Sequence, residues 1–400
     1  MKKCVLVLLS VLLVVAGLPA QAQDGDPAYA SFDEFQAALD DALASGNIDG
    51  WWQTIIDAGQ MPLTFDNTAV FLYRGEGDTV EWRGDFNGWA STPDFMGERQ
   101  GDTDLWMLVQ QFPTDARLDY KIVVDGSTWL LDDLNPYQQV GGYGPNSELR
   151  MPDYVPSTTI EPRDDITPGT LGQDTTIFSE SLGYQVNYRV YTPANYSELD
   201  DLPVIYVTDG QEYANPEMGS MTIVLDNLIA VGTIQPVIAV FVDPRDPNNL
   251  DVNRREEEFL VNPAYGTFLA TELVPLIDIL YDTNPTAAAR AILGTSYGGL
   301  NAVYTAMNHS DTFGMVASQS PAFRGAPEVI PAFEAAGPLP LKVFMCQGAI
   351  WDDIDNTRQV RDILQDQGYD LLYIEVNEGH SWGNWRALLD DMLIYFFGTE

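Results

Sequence analysis

The sequence predicts an α/β domain with a mostly parallel central sheet, preceded by a smaller all-β domain. From residue 175 onward, short apolar runs typical of strands covered on both faces alternate with amphipathic segments at helical spacing. Between residues 65 and 155, short alternating runs are separated by Gly, Asp, Asn and Pro, which favours an antiparallel β-sandwich. Residues 156–174, rich in Pro, Thr, Asp and Gly, are expected to link the two.

The individual elements follow from these patterns in chain order. Apolar residues at helical spacing after Ser31, a candidate N-cap, predict a helical segment within residues 23–64. Alternating runs predict strands of the sandwich at residues 69–73, 79–83, 105–111 and 118–124. Apolar runs predict strands of the C-terminal sheet at residues 202–207, 237–242, 291–293, 342–346 and 371–376. Amphipathic segments predict its helices at residues 265–281, 300–308, 357–367 and 382–396.

Residues 1–22 have the three-part pattern of a secretory signal peptide. Lys2 and Lys3 precede an apolar run, and small residues lead up to Ala22, so we expect cleavage near Ala22 and export to the periplasm or the medium. Cys4 lacks the small apolar residues that would precede a lipidated cysteine. Because no apolar run reaches the roughly 18 residues of a membrane helix, the sequence predicts no membrane span.

The chain is strongly acidic, and this limits its partners. Its formal charge is −40, which becomes −42 when Lys2 and Lys3 are removed with the signal peptide. Such a surface repels nucleic acid and anionic lipid, so neither is an expected partner. Because only Lys121 and Lys342 then remain as lysines, the composition also indicates adaptation to a saline habitat, where salt screens the self-repulsion.

The composition also predicts that the protein uses no metal and no cofactor. The chain has two histidines, and Cys346 is its one cysteine beyond the signal peptide, which is too few ligands for a zinc cluster. No Gly-rich phosphate loop follows a strand. A single cysteine forms no internal disulfide, so the apolar core must stabilise the fold.

Ser296 is the candidate nucleophile. It lies in Gly294-Thr295-Ser296-Tyr297-Gly298, directly after the predicted strand 291–293 and before the predicted helix 300–308. Strand, G-x-S-x-G and helix in that order form a nucleophile elbow, a sharp turn that projects the serine hydroxyl above the sheet. A Gly-rich turn with an inert serine is the alternative.

Serine needs a general base, and His380 is the candidate because it lies in a loop after the predicted strand 371–376. His309 instead follows the helix after the elbow, where a polar role at the helix C-terminus is expected. The acid should lie between serine and histidine in the chain, and we choose Asp352, with Asp353 second and Asp355 third. Asp355 is expected to be the N-cap of the following helix.

The oxyanion hole is expected to use two backbone amides. One is that of Tyr297, directly after the nucleophile. The second is assigned to Gln211, in the loop after the predicted strand 202–207. The alternative is that this loop is an ordinary turn at the end of a strand.

With these residues placed, the C-terminal domain, residues 175–400, resembles the enterochelin-esterase-like α/β-hydrolases, a branch that includes feruloyl and acetyl-xylan esterases. The motifs that carry the resemblance are Val207-Thr208-Asp209-Gly210-Gln211, Arg255-Glu256-Glu257-Glu258-Phe259, Glu272-Leu273-Val274-Pro275, Gly294 to Gly299 and Glu378 to Arg386. The resemblance implies a Ser-His centre whose acid varies among members. It also makes Arg255, Glu258 and Trp382 candidates for the substrate side, with an exposed salt bridge as the alternative for Arg255 and Glu258.

The all-β domain resembles early-set immunoglobulin-like domains of the glycogen-binding type. The motifs that carry this resemblance are Val80 to Trp89 and Asp119 to Gly126, with Trp129 beyond them. Aromatic faces stack on sugar rings, so Trp89 and Trp129 are candidate glycan contacts, whereas Trp82 and Trp106 alternate with strand residues and are expected in the core. A structural cap over the esterase entrance is the alternative role for this domain.

The sequence therefore predicts a secreted serine esterase that acts on a siderophore, phenolic or acetylated-sugar ester, supplied as a small molecule or a carbohydrate. One rival is a peptidase on the same scaffold. A rival from another class is a non-catalytic glycan-binding surface protein with a degenerate hydrolase domain.

Overall fold

The computed structural model describes residues 28–399, so the expected signal peptide and Cys4 lie outside the described residues. The N-terminal helical segment is present, but it forms two helices, α1 Phe32–Ser45 and α2 Ile48–Ala58. The first begins as expected, because the Ser31 hydroxyl accepts a hydrogen bond from the amide of Glu34 at 3.2 Å. It ends at Gly46, whose φ of 73° is the left-handed conformation that glycine adopts without strain.

Nine strands follow and form two antiparallel sheets. In chain order they are β1 Leu63–Phe65, β2 Thr68–Arg74, β3 Val80–Gly84, β4 Glu98–Arg99, β5 Leu105–Gln111, β6 Arg117–Val124, β7 Thr128–Leu130, β8 Gln138–Gly141 and β9 Gly144–Arg150. One sheet has the order β1-β2-β5-β4, and the other has the order β3-β6-β9-β8 with β7 paired to β6. We call these strands the N-terminal sandwich.

The two sheets of the N-terminal sandwich share one apolar core. Phe71 of the first sheet packs against Trp82 and Tyr120 of the second, with ring centroids 6.0 and 5.1 Å apart. Trp82 and Trp106 are buried in this core, as expected. The opposite face of the first sheet packs against α1 and α2. The helices therefore close the outer side of the sandwich.

The remaining strands include a nine-stranded mixed sheet. They are β10 Thr170–Leu171, β11 Thr175–Ser179, β12 Tyr184–Thr192, β13 Val204–Val207, β14 Ile238–Asp243, the separate hairpin β15 Arg245–Asp246 and β16 Asn249–Asn253, then β17 Arg290–Thr295, β18 Met315–Gln319, β19 Lys342–Gly348 and β20 Asp370–Val376. The six strands from β14 through β13, β17, β18 and β19 to β20 run parallel; five of them were expected, and β18 was missed. The antiparallel edge formed by β10, β11 and β12 was not expected from the sequence.

Helices cover both faces of this sheet. They are α3 Gly210–Tyr213, α4 Met221–Ala230, α5 Arg255–Phe259, α6 Pro263–Phe268, α7 Val274–Leu280, α8 Tyr297–Asn308, α9 Val329–Ala336, α10 Ile354–Asp366, α11 Trp382–Ala387 and α12 Leu389–Phe397. A π-helical turn, Leu269–Leu273, joins α6 to α7. Alternate residues of each strand enter opposite cores: Val204 packs with α6 to α10, whereas Ile205 packs with α4, α11 and α12. Burial on both faces is why these strands read as continuous apolar runs.

The segment between the sandwich and the sheet lies against the C-terminal domain. The Nδ2 of Asn227 donates to the carbonyls of Thr159 and Glu161, both at 2.8 Å. The expected linker, residues 156–174, is therefore packed, and its last part already forms β10. Within residues 28–399, no helix is long and apolar enough to cross a membrane.

Candidate active site

Ser296 lies at the turn between β17 and α8, with φ 56° and ψ −119°. This conformation is strained for a residue with a side chain, and such strain is typical of a nucleophile elbow. The turn is tight because a Cβ at Gly294 would clash with the Gly298 carbonyl, and one at Gly298 would lie 2.6 Å from Oγ1 of Thr208. The glycines on either side of Ser296 are therefore required by the approach of strand, helix and the neighbouring loop.

His380 lies between Ser296 and Asp352. Its Nε2 is 2.9 Å from Oγ of Ser296, and its Nδ1 is 2.9 Å from Oδ1 of Asp352. A carboxylate only accepts hydrogen bonds, so Nδ1 carries the proton donated to Asp352 and Nε2 is free to accept the serine proton. The three residues lie in loops after β17, β19 and β20, which end at the same edge of the parallel sheet.

The environment of Asp352 keeps it ionised. Burial acts to raise its pKa, but hydrogen bonding and attraction from His380 outweigh burial, so the pKa is lowered overall. Its Oδ2 also accepts from the amide of Gly348 at 3.3 Å, and its Oδ1 accepts from the amide of Asp353 at 2.8 Å. The carboxylate is thus fixed from several sides while it faces the imidazole.

The other acidic and histidine candidates lie elsewhere. Asp353, not Asp355, occupies the N-cap position of α10, so the expectation for Asp355 was wrong: the N-cap lies two residues earlier, and Asp355 is in the first turn of the helix. Asp353 accepts from the amide of Arg324 at 2.8 Å. His309 is at the C-terminal end of α8, as expected, with its amide donating to the carbonyl of Thr305.

The two expected oxyanion donors lie at the N-terminal ends of two helices that follow neighbouring strands. Tyr297 is the first residue of α8, where the amides have no acceptor within the helix. Gln211 is in α3, after β13, and β13 is the sheet neighbour of β17. Gln211 lines a separate cavity of about 200 Å³ and is not among the residues that line the cavity at Ser296.

A cavity of about 750 Å³ opens above Ser296 and His380. The N-terminal sandwich and its loops form one wall of it, with Trp89, Trp129, Lys121 and Tyr143 among the lining residues. Trp89 and Trp129 are stacked, with ring centroids 6.5 Å apart and planes 26° apart. The two candidate glycan contacts therefore face the same cavity as the serine, which their separation in the sequence did not reveal.

The three substrate-side candidates differ in position. Trp382 and Arg255 line the cavity, but Glu258 does not. Glu258 is buried and accepts from the hydroxyl of Tyr184 at 2.9 Å, and burial raises its pKa to about 8. Arg255 is not in an exposed salt bridge: its Nε lies 2.8 Å from both carboxylate oxygens of the fully buried Asp209. Glu258 is therefore bound to Tyr184 away from the cavity, whereas Arg255 stays a candidate for the substrate side.

Two residues of the site had no clear sequence signal. Glu212 lines the cavity, and burial, followed by repulsion from Asp209, raises its pKa to about 7. Trp385 packs edge-on against the His380 ring with centroids 4.9 Å apart, and its Nε1 donates to Oγ of Ser320 at 2.9 Å. Trp385 was part of a motif that carries the resemblance. Its closeness to His380 in the chain was the only sequence feature that indicated this contact.

Comparison with known proteins decides the class. Residues 179–362 match the family model "Putative esterase". The match lies within the C-terminal part and covers somewhat less than half of the chain. The protein is accordingly a carboxylic ester hydrolase, and we refer to its C-terminal part as the esterase domain.

Relatives align mainly with the esterase domain. The chain is 26% identical to the uncharacterized protein YjcH of Bacillus subtilis over 55% of this chain and 95% of that protein. It is also 26% identical to an endo-1,4-beta-xylanase/feruloyl esterase of Xylanibacter ruminicola, over 54% of this chain but only 30% of that enzyme. The fold resembles that of the ferric enterobactin esterase of Salmonella typhimurium, with a TM-score of 0.69 and 20% identity over 82% of this chain and 93% of that one.

Proposed function

We propose that the esterase domain cleaves its substrate with Ser296 as nucleophile, His380 as general base and Asp352 as the orienting acid. The observation that carries the proposal is the continuous line of contacts from Asp352 through His380 to Ser296, with 2.9 Å at both steps. The contact between Ser296 and His380 allows direct proton transfer without an intervening water, and the contact between His380 and Asp352 holds the imidazole in the tautomer that accepts the proton.

Each half of the reaction uses the same residues. His380 takes the Ser296 proton as the oxygen attacks the acyl carbon, and Asp352 stabilises the imidazolium that forms. The tetrahedral oxyanion accepts hydrogen bonds from the amides of Tyr297 and Gln211. His380 then gives its proton to the leaving alcohol. Water, deprotonated by His380, cleaves the acyl-enzyme and releases the acid.

The wall of the cavity that the N-terminal sandwich forms favours a substrate ester that carries a phenolic or a sugar ring. Trp89 and Trp129 offer aromatic faces to the cavity, and such faces bind sugar rings and phenolic rings alike. We retain the assignment of the N-terminal sandwich to the immunoglobulin-like, glycogen-binding type as part of this proposal. In this arrangement the sandwich binds the part of the substrate that does not react.

Charge favours an uncharged substrate over a ferric siderophore. Besides the triad, the cavity is lined by three carboxyl groups, Asp85, Asp119 and Glu212, and by two basic groups, Lys121 and Arg255. Arg255 is paired with Asp209 and Asp119 with Arg117, and both partners lie outside the lining, which leaves Lys121 against Asp85 and Glu212. A ferric complex of three catecholates carries a negative charge that this lining does not offset. A phenolic ester or an acetylated sugar meets no such repulsion.

Two experiments test the proposal. A fluorophosphonate probe should label the purified protein at Ser296, and the same protein should hydrolyse p-nitrophenyl acetate. Absence of both labelling and hydrolysis would favour the non-catalytic, glycan-binding alternative. Among larger substrates, methyl ferulate and acetyl-xylan should give higher kcat/KM than a ferric triscatecholate trilactone, and the reverse order would contradict the charge argument.

Export is also part of the proposal, because the expected signal peptide precedes the described residues. N-terminal sequencing of the protein from culture supernatant and periplasm should begin at Gln23. A chain recovered only with its intact first residues would contradict export.

A further inference from the structure

The loop that carries His380 is held by the N-terminal sandwich. This loop, residues 377–381, joins β20 to α11. Across from it, Arg117 at the start of β6 is only 1% exposed. Its Nη1 donates to Oγ of Ser381 at 3.1 Å and lies 3.6 Å from Oε2 of Glu378. Ser381 directly follows His380, and Glu378 lies two residues before it. The Arg117 side chain therefore contacts the loop on both sides of the histidine.

The backbone makes the same connection. The amide of Arg117 donates to the carbonyl of Asn377 at 3.3 Å, and Nδ2 of Asn377 donates to Oδ1 of Asp115 at 2.7 Å. Strand β6 therefore continues into the loop through Arg117 and Glu378, which form an isolated parallel bridge. The loop is attached to the sandwich by its main chain as well as by the guanidinium.

Arg117 is itself fixed from within the sandwich. Its Nη2 pairs with Asp119 of β6 and, at 2.7 Å, with Glu148 of β9. Burial acts to raise the pKa of Glu148, but attraction from Arg117 and Arg150 prevails and lowers it to about 2. A buried guanidinium held by two carboxylates has few alternative positions, which suits it to transmit a fixed geometry.

Close packing leaves the loop little room to move. A Cβ added at Gly379, next to His380, would clash with the side chain of Asp85, and one added at Gly383 would clash with the guanidinium of Arg117. The loop that carries Asp352 also contacts the N-terminal sandwich, because Ile350, two residues before Asp352, packs against the sandwich core. The amide of Ile350 also donates to the carbonyl of Glu378 at 3.1 Å.

We propose that Arg117 is a positioning residue for catalysis: through Ser381 and Glu378 it holds the His380 loop at hydrogen-bonding distance from Ser296. The N-terminal sandwich is then a required part of the active site as well as a wall of its cavity. This inference rests on the proposed function, since it assigns His380 as the base.

The test compares Arg117→Met and Arg117→Lys with Arg150→Met in the full chain. Arg150 is the matched control, because it pairs with the same Glu148 but is 29% exposed, and within the described residues it forms no hydrogen bond or ion pair with residues 377–381. A small displacement of a catalytic group costs on the order of 10²-fold in rate. We expect Arg117→Met to lower kcat for p-nitrophenyl acetate by about that factor with KM within about twofold, and to slow fluorophosphonate labelling in parallel.

The conservative and control variants separate positioning from folding. Arg117→Lys keeps the charge but has a single ammonium group in place of the forked guanidinium. Its kcat should therefore lie between those of Arg117→Met and the unaltered protein. Arg150→Met should keep kcat within about twofold of the unaltered protein. Circular dichroism at the assay temperature checks that each variant is folded. A folded Arg117→Met with unaltered kcat and labelling rate would overturn the inference.

Ser381→Ala keeps the inference testable if Arg117→Met does not fold. It removes the hydroxyl that accepts from Nη1 and leaves Arg117 paired with Asp119 and Glu148. We expect a loss of kcat of about three- to tenfold with an unchanged melting temperature. Unchanged kcat would overturn the inference. If Ser296→Ala stayed active, the proposed function itself would be wrong. If activity depended on Ser296 but was unaltered in the Arg117 and Ser381 variants, only the inference about Arg117 would be wrong.

Discussion

Asp352 and His380 form the most constrained pair of the site: Oδ1 of the carboxylate lies 2.9 Å from Nδ1 of the imidazole, and the carboxylate side chain is fully buried while the imidazole is 30% exposed. The acid is thus isolated from water, and the base is open to substrate. This asymmetry suits their proposed roles, since the base must exchange protons with substrate and the acid must hold one tautomer.

Ser296→Ala and His380→Ala should each abolish ester hydrolysis, because the two residues act as one unit. Removing either costs on the order of 10⁶ in turnover for serine hydrolases. Steady-state kinetics with p-nitrophenyl acetate measures the loss. His309→Ala is the control and should keep near-normal turnover, because His309 lies at the far end of α8. An inactive His309→Ala with an active His380→Ala would reverse the assignment.

Asp352→Asn should lower turnover by roughly 10² to 10⁴, because serine and histidine stay in place while the imidazole loses its orienting charge. Asp353→Asn and Asp355→Asn should each cost less than about tenfold, since Asp353 contacts the Arg324 amide and Asp355 lies in the first turn of α10. Comparison of kcat among the three variants checks the choice. A larger loss in either neighbour would move the acid, and three active variants would favour a Ser-His dyad.

Trp129→Ala should raise KM for methyl ferulate and for an acetylated xylo-oligosaccharide, because the proposed stacking contact between Trp129 and the substrate ring is lost. A stacking contact contributes about 0.5–1.5 kcal/mol, so the expected rise in KM is about two- to tenfold. Kinetics with methyl ferulate and an acetylated xylo-oligosaccharide measures it. Trp52→Ala, on α2, is the control for loss of a tryptophan outside the cavity. Unaltered KM for both esters would exclude the aromatic platform.

Stability should fall as pH rises from about 5 to about 8.5. Burial raises the pKa of Glu378 to about 8 and that of Asp119 to about 7, against ordinary values of 4.5 and 3.8. In this window the unfolded chain has released these protons and the folded chain keeps them, so the stabilisation is complete at low pH and is lost as pH rises through the folded pKa values. Urea unfolding in 1 M NaCl measures the trend. Glu378→Gln should show a shallower fall, and stability that increases with pH would contradict the assignment.

Salt should raise the melting temperature, because the mature chain carries a formal charge of −42 and salt screens its self-repulsion. Differential scanning calorimetry from dilute to molar potassium chloride measures the shift. A melting temperature that stays flat across this range would argue against adaptation to a saline habitat.

The sequence by itself determined which residues were candidates for the site of this protein. Ser296 was identifiable because the elbow is a continuous strand, turn and helix, and His380 because the chain offers only two histidines. Five of the six parallel strands were visible because both of their faces are buried, whereas β18 was missed although it is equally buried. Strands exposed on one side, such as β11, and the hairpin β15 and β16 gave no comparable signal. Local periodicity therefore predicts buried elements better than exposed ones.

Only the tertiary structure decided which distant residues meet. Arg117 and Ser381 are 264 positions apart, and nothing in the periodicity around either residue indicates the contact. The same holds for Trp89 and Trp129 at the Ser296 cavity, and for Glu258, whose motif neighbour Arg255 lines the cavity while Glu258 does not. The physical reason is that a side chain's partner is set by how whole elements pack, whereas the sequence pattern records only which face of each element is buried.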